Sequence, residues 1–266
     1  MTGKHVFGVG TGRCGTRTVA ERISWMTPNA RHEGWIYRNG QRRREAKKFR
    51  HLIQGRPSST WNTEAIYQRW KYLHSREHSF EAAHYFTGSL DMLLEAFPEA
   101  KLLHLVRPAP EVVYSFLRWS QDGCYRAAGA HLRPPGHVVS DSWVDWCDSF
   151  PEFPGVVSRI EGYAMHWQWT NRLLESVGKR LGQSRYMLVW LSDLDERWDE
   201  VVRFIDPPKP QEIELHVANK ARKPFIPDEY GEVEKVCEEI CTWRPNMTSA
   251  MSVFPGLNSD TAPSGS

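Results

Sequence analysis

Residues 4–23, KHVFGVGTGRCGTRTVAERI, pass from β-forming residues through four glycines into a segment with helical spacing. The apolar run KHVFGVG predicts a buried strand, and RTVAERISWM switches to a period near 3.6. Strand, glycine loop and helix in that order place backbone N–H groups and the positive end of a helix dipole around one anion. Gly8, Gly10, Gly12 and Gly15 let the backbone wrap, while Thr16 and Thr18 add hydroxyl donors. The nucleoside triphosphatase pattern G-x-x-x-x-G-K-[ST] would start at Gly10 and require lysine where Thr16 stands. The loop's cations are instead Arg13 and Arg17, so Mg²⁺-dependent ATP hydrolysis is not expected. A dinucleotide pattern G-x-G-x-x-G also fits Gly10, Gly12 and Gly15. Glu33 could be its acidic partner, but RHEGW (31–35) does not read as a strand end.

Outward from this loop the alternation continues. SLDMLLEAF (89–97) reads as an amphipathic helix, KLLHLV (101–106) as a buried strand and APEVVYSFLRW (109–119) as a helix opened by prolines. A third unit runs from GYAMHWQWTNRLLESVGKRL (162–181) through the strand RYMLVWL (185–191) to SDLDERWDEVVRFI (192–205). Ser192 is the expected N-cap of that last helix, with Asp195 in the acidic capping position. Strands alternating with helices predict an α/β fold: one domain with a central parallel sheet flanked by helices on both faces. The domain is expected over residues 1–256, with a disordered tail at 257–266. Two stretches are expected to be irregular substrate or lid segments: about 38–60, around the basic run QRRREAKKFR, and about 120–158, rich in Gly, Pro, Trp and Asp. The basic run by default is a solvated helix face.

Composition narrows the functions. The 266 residues suit one large domain with a substantial core. Thirty-four Lys and Arg against 32 Asp and Glu leave a charge of only +2, so no nucleic-acid partner is expected and any anion site is local. The five cysteines (14, 124, 147, 237 and 241) show no C-x-x-C pair, which argues against a disulfide framework or zinc ribbon. Cys237 and Cys241, four apart, read as buried small hydrophobes. No apolar run near the N-terminus is long enough for a signal peptide or anchor, so a cytoplasmic location without membrane contact is expected. The sequence says nothing of oligomeric state.

The stretch GRCGTRT (12–18) resembles the 5′-phosphosulfate loop of sulfotransferases that use 3′-phosphoadenosine 5′-phosphosulfate (PAPS). The family core is a basic residue, a small residue, Gly, Thr, then Thr or Ser. Here Arg13, Cys14, Gly15 and Thr16 fit it. Arg17 departs at the last position, where Thr18 or the guanidinium could take over. FPEAKLLHLVRPAPEVVYSFL (97–117) resembles the second half of the family's site. There an Arg ends a strand and a Ser follows eight residues later on a helix, and both contact the 3′-phosphate. Arg107 and Ser115 have that spacing, and guanidinium and hydroxyl are reasonable phosphate donors. HVANKARKPF (216–225) more loosely resembles the late basic loop, with Lys220, Arg222 or Lys223 as candidates.

The resemblance implies sulfuryl transfer from PAPS to a hydroxyl or amine, releasing adenosine 3′,5′-bisphosphate (PAP), with no metal required. Arg13 would stabilise charge on the bridging oxygen, and a base would take the acceptor's proton. Two branches of the family suggest two bases: Glu33, beside His32 in NARHEGW, is preferred narrowly over His84 in EAAHYF. His104, mid-strand, reads as a satisfied core histidine. A small-molecule or glycan acceptor is expected. Trp119, Tyr125, Trp143 and Trp146, among Arg118, Arg126 and Arg133, could stack a ring and meet an anion. Rival readings are a P-loop-type small-molecule kinase and a non-catalytic nucleotide-binding relative.

Overall fold

The computed structural model describes residues 4–27, 29–32, 35–38, 41–44, 78–121, 159–208 and 227–244. The opening reading holds. Lys4–Val9 forms β1 and Thr16–Ile23 forms α1, with the glycine loop between them. The strands β2 (Ala30–His32), β3 (Trp35–Arg38), β4 (Gln41–Arg44), β5 (His78–Ala82), β6 (Lys101–Val106) and β7 (Tyr186–Trp190) complete one sheet in the order β4-β3-β2-β5-β1-β6-β7. Five consecutive strands, β2-β5-β1-β6-β7, are parallel: β1 pairs with β5 and β6, β2 with β5, and β6 with β7. Among the described residues the helices after α1 are α2 (Leu90–Ala96), α3 (Ala109–Gln121), α4 (Arg159–Leu181), α5 (Trp198–Ile205) and α6 (Pro227–Ile240).

β1 is buried from His5 to Val9, the continuous pattern of a strand covered on both faces. Its alternate residues feed different cores. Val6 joins Val19 and Ile23 of α1 and Val201 and Ile205 of α5. Phe7 and Val9 join Leu90 and Leu93 of α2 and Leu174 and Val177 of α4. A third cluster, around Val112, Phe116, Tyr163, Trp167 and Trp243, packs α3, α4 and α6 together beside β6. Cys237 and Cys241 are buried in it, as their spacing suggests. Among the described residues no helix is long and apolar enough to cross a membrane.

Three local expectations need correction. The parallel sheet is as expected, extended at one end by the antiparallel strands β3 and β4, and the segment expected to be irregular from about 38 carries β4, with Tyr37 opposite Arg42 and Arg38 opposite Gln41. QRRR, four polar side chains in a row, has no strand pattern of its own, and pairing with β3 holds it extended. RHEGW does contain a strand end, since β2 runs to His32 in register with Ala82 of β5. Arg31 and His32 are poor β-formers, and only the neighbouring strands hold them extended, Arg31 being almost wholly buried. Finally, Ser192 does not cap α5. It lies in a 3₁₀ turn, Leu191–Asp193, where its hydroxyl bonds Asp193 Oδ1 at 2.6 Å, and α5 starts at Trp198. Asp195 is drawn elsewhere, to the buried guanidinium of Arg22 on α1 at 2.6 Å, because a buried cation left unpaired is costly. Residues 45–60, the segment 122–158 and the tail lie outside the described residues, as do the side chains of residues 119–121.

Candidate functional site

The C-terminal ends of parallel strands share one edge of a sheet, where α/β proteins bind ligands. This edge carries the glycine loop after β1, His32 at the end of β2, His84 just past β5 and Arg107 just past β6. The loop turns through left-handed backbone: Arg13 at φ 55° and Gly15 at φ 94°. Gly15 precedes α1 and supplies no side chain to cap the helix's first N–H groups, which suits an anion in their place. A Cβ at Gly15 would collide with Leu191 and sit on a backbone conformation that L-residues avoid, so glycine is required there.

The two expected phosphate elements meet. Arg13 is exposed, and its Nε donates to Ser115 Oγ on α3 at 2.9 Å. Arg107 Nη1 donates to the Arg13 carbonyl oxygen at 3.4 Å. Arg107 Nε also binds Glu111 Oε2, one turn along α3, at 2.6 Å. This acidic partner is unannounced by the Arg–Ser spacing, although i,i+4 charge pairing is its sequence signature.

The other candidates are placed unequally. Thr16 and Thr18 are buried in the first turn of α1, and Arg17 is half-buried beside them. Thr16 Oγ1 lies 3.0 Å from His32 Nε2, so His32, adjacent to Glu33 in sequence, reaches the loop itself. His84 opens a 3₁₀ turn, His84–Ser89, and its Cβ lies 3.4 Å from where a Cβ on Gly12 would stand. Glu33, Lys220, Arg222 and Lys223 lie outside the described residues. His104 is a core histidine: fully buried, with Nε2 2.9 Å from Asn171 Oδ1 and Nδ1 2.7 Å from the Tyr186 hydroxyl.

The sequence profile of the sulfotransferase domain matches residues 5–223, spanning every element just described except α6. The chain belongs to the sulfotransferase domain family. No curated protein matches it. Among solved structures it is similar to the sulfotransferase domain of the Synechococcus olefin synthase, at 15% identity over 92% of this chain and 97% of that one, with a TM-score of 0.44. It is also similar to a sulfotransferase from Alicyclobacillus acidocaldarius, at 12% identity over 92% and 98% of the two chains, with a TM-score of 0.43.

Within this sulfotransferase-family loop, Cys14 is a packing residue. It has no exposed surface, and burial pushes its thiol from 9.0 up to about 11, against opposing hydrogen bonds from the loop backbone and Thr11. At pH 8 the thiol therefore stays protonated and shielded. Iodoacetamide at that pH is expected to label Cys14 in the urea-unfolded chain and to spare it in the native protein. Peptide mapping showing rapid native labelling would contradict this packing.

Proposed function

We propose that this sulfotransferase-family chain moves a sulfuryl group from PAPS to a hydroxyl or amine of a small-molecule or glycan acceptor. The observation that carries the reading is the direct contact between the two anion elements, Arg13 to Ser115 at 2.9 Å and Arg107 to the Arg13 carbonyl at 3.4 Å. A nucleotide with a phosphate at each end of one ribose needs both elements within a few ångströms, and elements on opposite sides of the sheet edge could not share it.

In this reading the glycine loop and the first turn of α1 hold the 5′ end, and Arg107 with Ser115 holds the 3′-phosphate. The acceptor oxygen or nitrogen forms a bond to sulfur as the bond from sulfur to the bridging phosphate oxygen breaks. The electron pair of that bond stays with the departing PAP, whose bridging oxygen Arg13 neutralises. The acceptor's proton goes to a base, with Glu33 and His84 the two candidates. The –SO₃ group carries less charge than a phosphoryl group, so guanidinium and amide donors suffice and no metal is invoked.

One set of measurements tests this. Calorimetry should show PAP binding and no comparable binding of ATP–Mg²⁺. Arg107→Ala should weaken PAP about 100-fold, the scale of a charged phosphate contact, while adenosine 5′-monophosphate is little affected. Transfer from labelled PAPS over a panel of phenols, sugars and peptides should be detectable. Glu33→Gln or His84→Ala, whichever removes the base, should lower kcat by about 10²–10⁴-fold with PAP affinity kept. Preference for ATP–Mg²⁺, or an Arg107→Ala variant that binds PAP as the parent does, would refute the reading.

A further inference from the structure

Helix α4 reaches both halves of the site through two adjacent side chains, each bonded to backbone. His166 Nε2 lies 2.9 Å from the carbonyl oxygen of Thr11, in the glycine loop. Trp167 Nε1 donates to the carbonyl oxygen of Arg107, at the end of β6, at 2.9 Å. A carbonyl oxygen can only accept, so His166 carries its proton on Nε2, leaving Nδ1 to face the Thr170 hydroxyl at 3.3 Å. Both rings are buried, at 2% exposure, where a lost hydrogen bond is not replaced by water.

The helix that carries them is itself held. Asn171, one turn on, donates to the Trp167 carbonyl at 2.7 Å and meets His104 of β6 through its side-chain oxygen at 2.9 Å. Trp243 packs edge-on against Trp167, with ring centres 5.4 Å apart, and Phe116 of α3 lies against His166 at 6.2 Å. In a trans peptide the carbonyl and the following N–H point opposite ways. Tying the Thr11 carbonyl to α4 therefore turns the Gly12 N–H away from that helix. Tying the Arg107 carbonyl fixes the backbone from which that guanidinium springs.

We infer that His166 and Trp167 act as a paired staple on one helix, His166 fixing the 5′ anion element and Trp167 the 3′ element, so that the two together hold a nucleotide phosphorylated at both ends. Both are positioning residues, and the inference rests on the function proposed above. Neither touches the nucleotide: His166 acts through the loop and Trp167 through Arg107.

The test uses the full chain and three variants. Trp167→Phe keeps a ring against Trp243 and removes the N–H. His166→Leu removes the donor, and His166→Gln offers an amide N–H in its place. Trp167→Phe is expected to lower the preference for PAP over adenosine 5′-monophosphate by about tenfold. His166→Leu is expected to weaken both nucleotides by about tenfold with their ratio kept, and His166→Gln to recover most of that loss. Without nucleotide, hydrogen exchange should accelerate in residues 10–18 for His166→Leu and in residues 107–112 for Trp167→Phe, each leaving the other segment unchanged. A Trp167→Phe variant with unaltered preference, or failure of His166→Gln to recover binding, overturns the staple. If the parent binds neither nucleotide, the proposed function fails, and exchange unchanged in both segments then overturns the staple separately.

Discussion

Stability is expected to fall steeply as pH drops from 6.5 towards 4, by about 1.4 kcal/mol per pH unit from each of two buried histidines. Burial pushes His104 from 6.5 down to about 4, against the Asn171 hydrogen bond and the nearby Glu175, which favour its charged form. Burial also pushes His166 from 6.5 down to about 3, with the charge of His84 adding to the shift and the Thr11 carbonyl opposing it. Below pH 6.5 the unfolded chain takes up protons at both sites while the folded chain does not. The unfolded state then binds more protons, and unfolding becomes easier with each unit of acid. The loss from His104 ends near pH 4 and that from His166 near pH 3, and neither histidine adds pH dependence above about 7. Urea unfolding at pH 7, 6, 5 and 4.5 reads the slope directly. His104→Gln and His166→Gln should each remove about half of the histidine contribution. A parent protein equally stable at pH 7 and pH 5 would show that these imidazoles are not buried neutral.

Gly10→Ala is the second large effect, expected to cost about 3 kcal/mol, or roughly 6–12 °C in Tm. A Cβ at Gly10 would stand 2.6 Å from the carbonyl oxygen of Leu105 and 2.5 Å from Cys14 Sγ. The first is backbone of β6, tied into the parallel ladder beside β7, and cannot swing aside. The second has no exposed surface and nowhere to retreat. The strain is relieved only by pushing the loop out of place, so PAP binding should fall with stability. Gly231→Ala is the control. It lies in α6 with nothing within 4 Å of its Cβ, and alanine there should be neutral or stabilising by up to about 1 kcal/mol. Thermal melts of the two variants settle the point. Equal melting temperatures would show that Gly10 is not wedged between strand and loop.

Acid sensitivity and loop packing trace to the same feature of the fold. The site sits on a sheet edge whose backing is a dense apolar core, and four of the polar residues buried there, His104, His166, Asn171 and Thr170, are hydrogen-bonded. Groups of this kind cost little while neutral and paired. They become liabilities when a proton must be added or a side chain displaced.

The sequence by itself determined what is local. Strand, glycine loop and helix follow from residues 4–23 because hydrophobic period and glycine placement act over a few residues. The Arg107–Ser115 spacing is likewise local, eight residues across one strand end and the helix after it. The alternation of strands and helices was enough for a parallel sheet, since each segment's buried face is written in its own periodicity. Only the tertiary structure decided what joins distant segments. That Arg13 meets Ser115 depends on β1 and β6 being neighbours, a choice made by sheet order. The strands at Arg31–His32 and Gln41–Arg44 run against local propensity, and pairing across the sheet overrides it. Asp195 leaves its capping role for Arg22, 173 residues away in sequence, because a buried charge outweighs one helix cap. His166 and Trp167 look like core residues of an amphipathic helix. Their bonds to the Thr11 and Arg107 carbonyls exist because α4 packs behind both, and a backbone acceptor leaves no mark in the sequence.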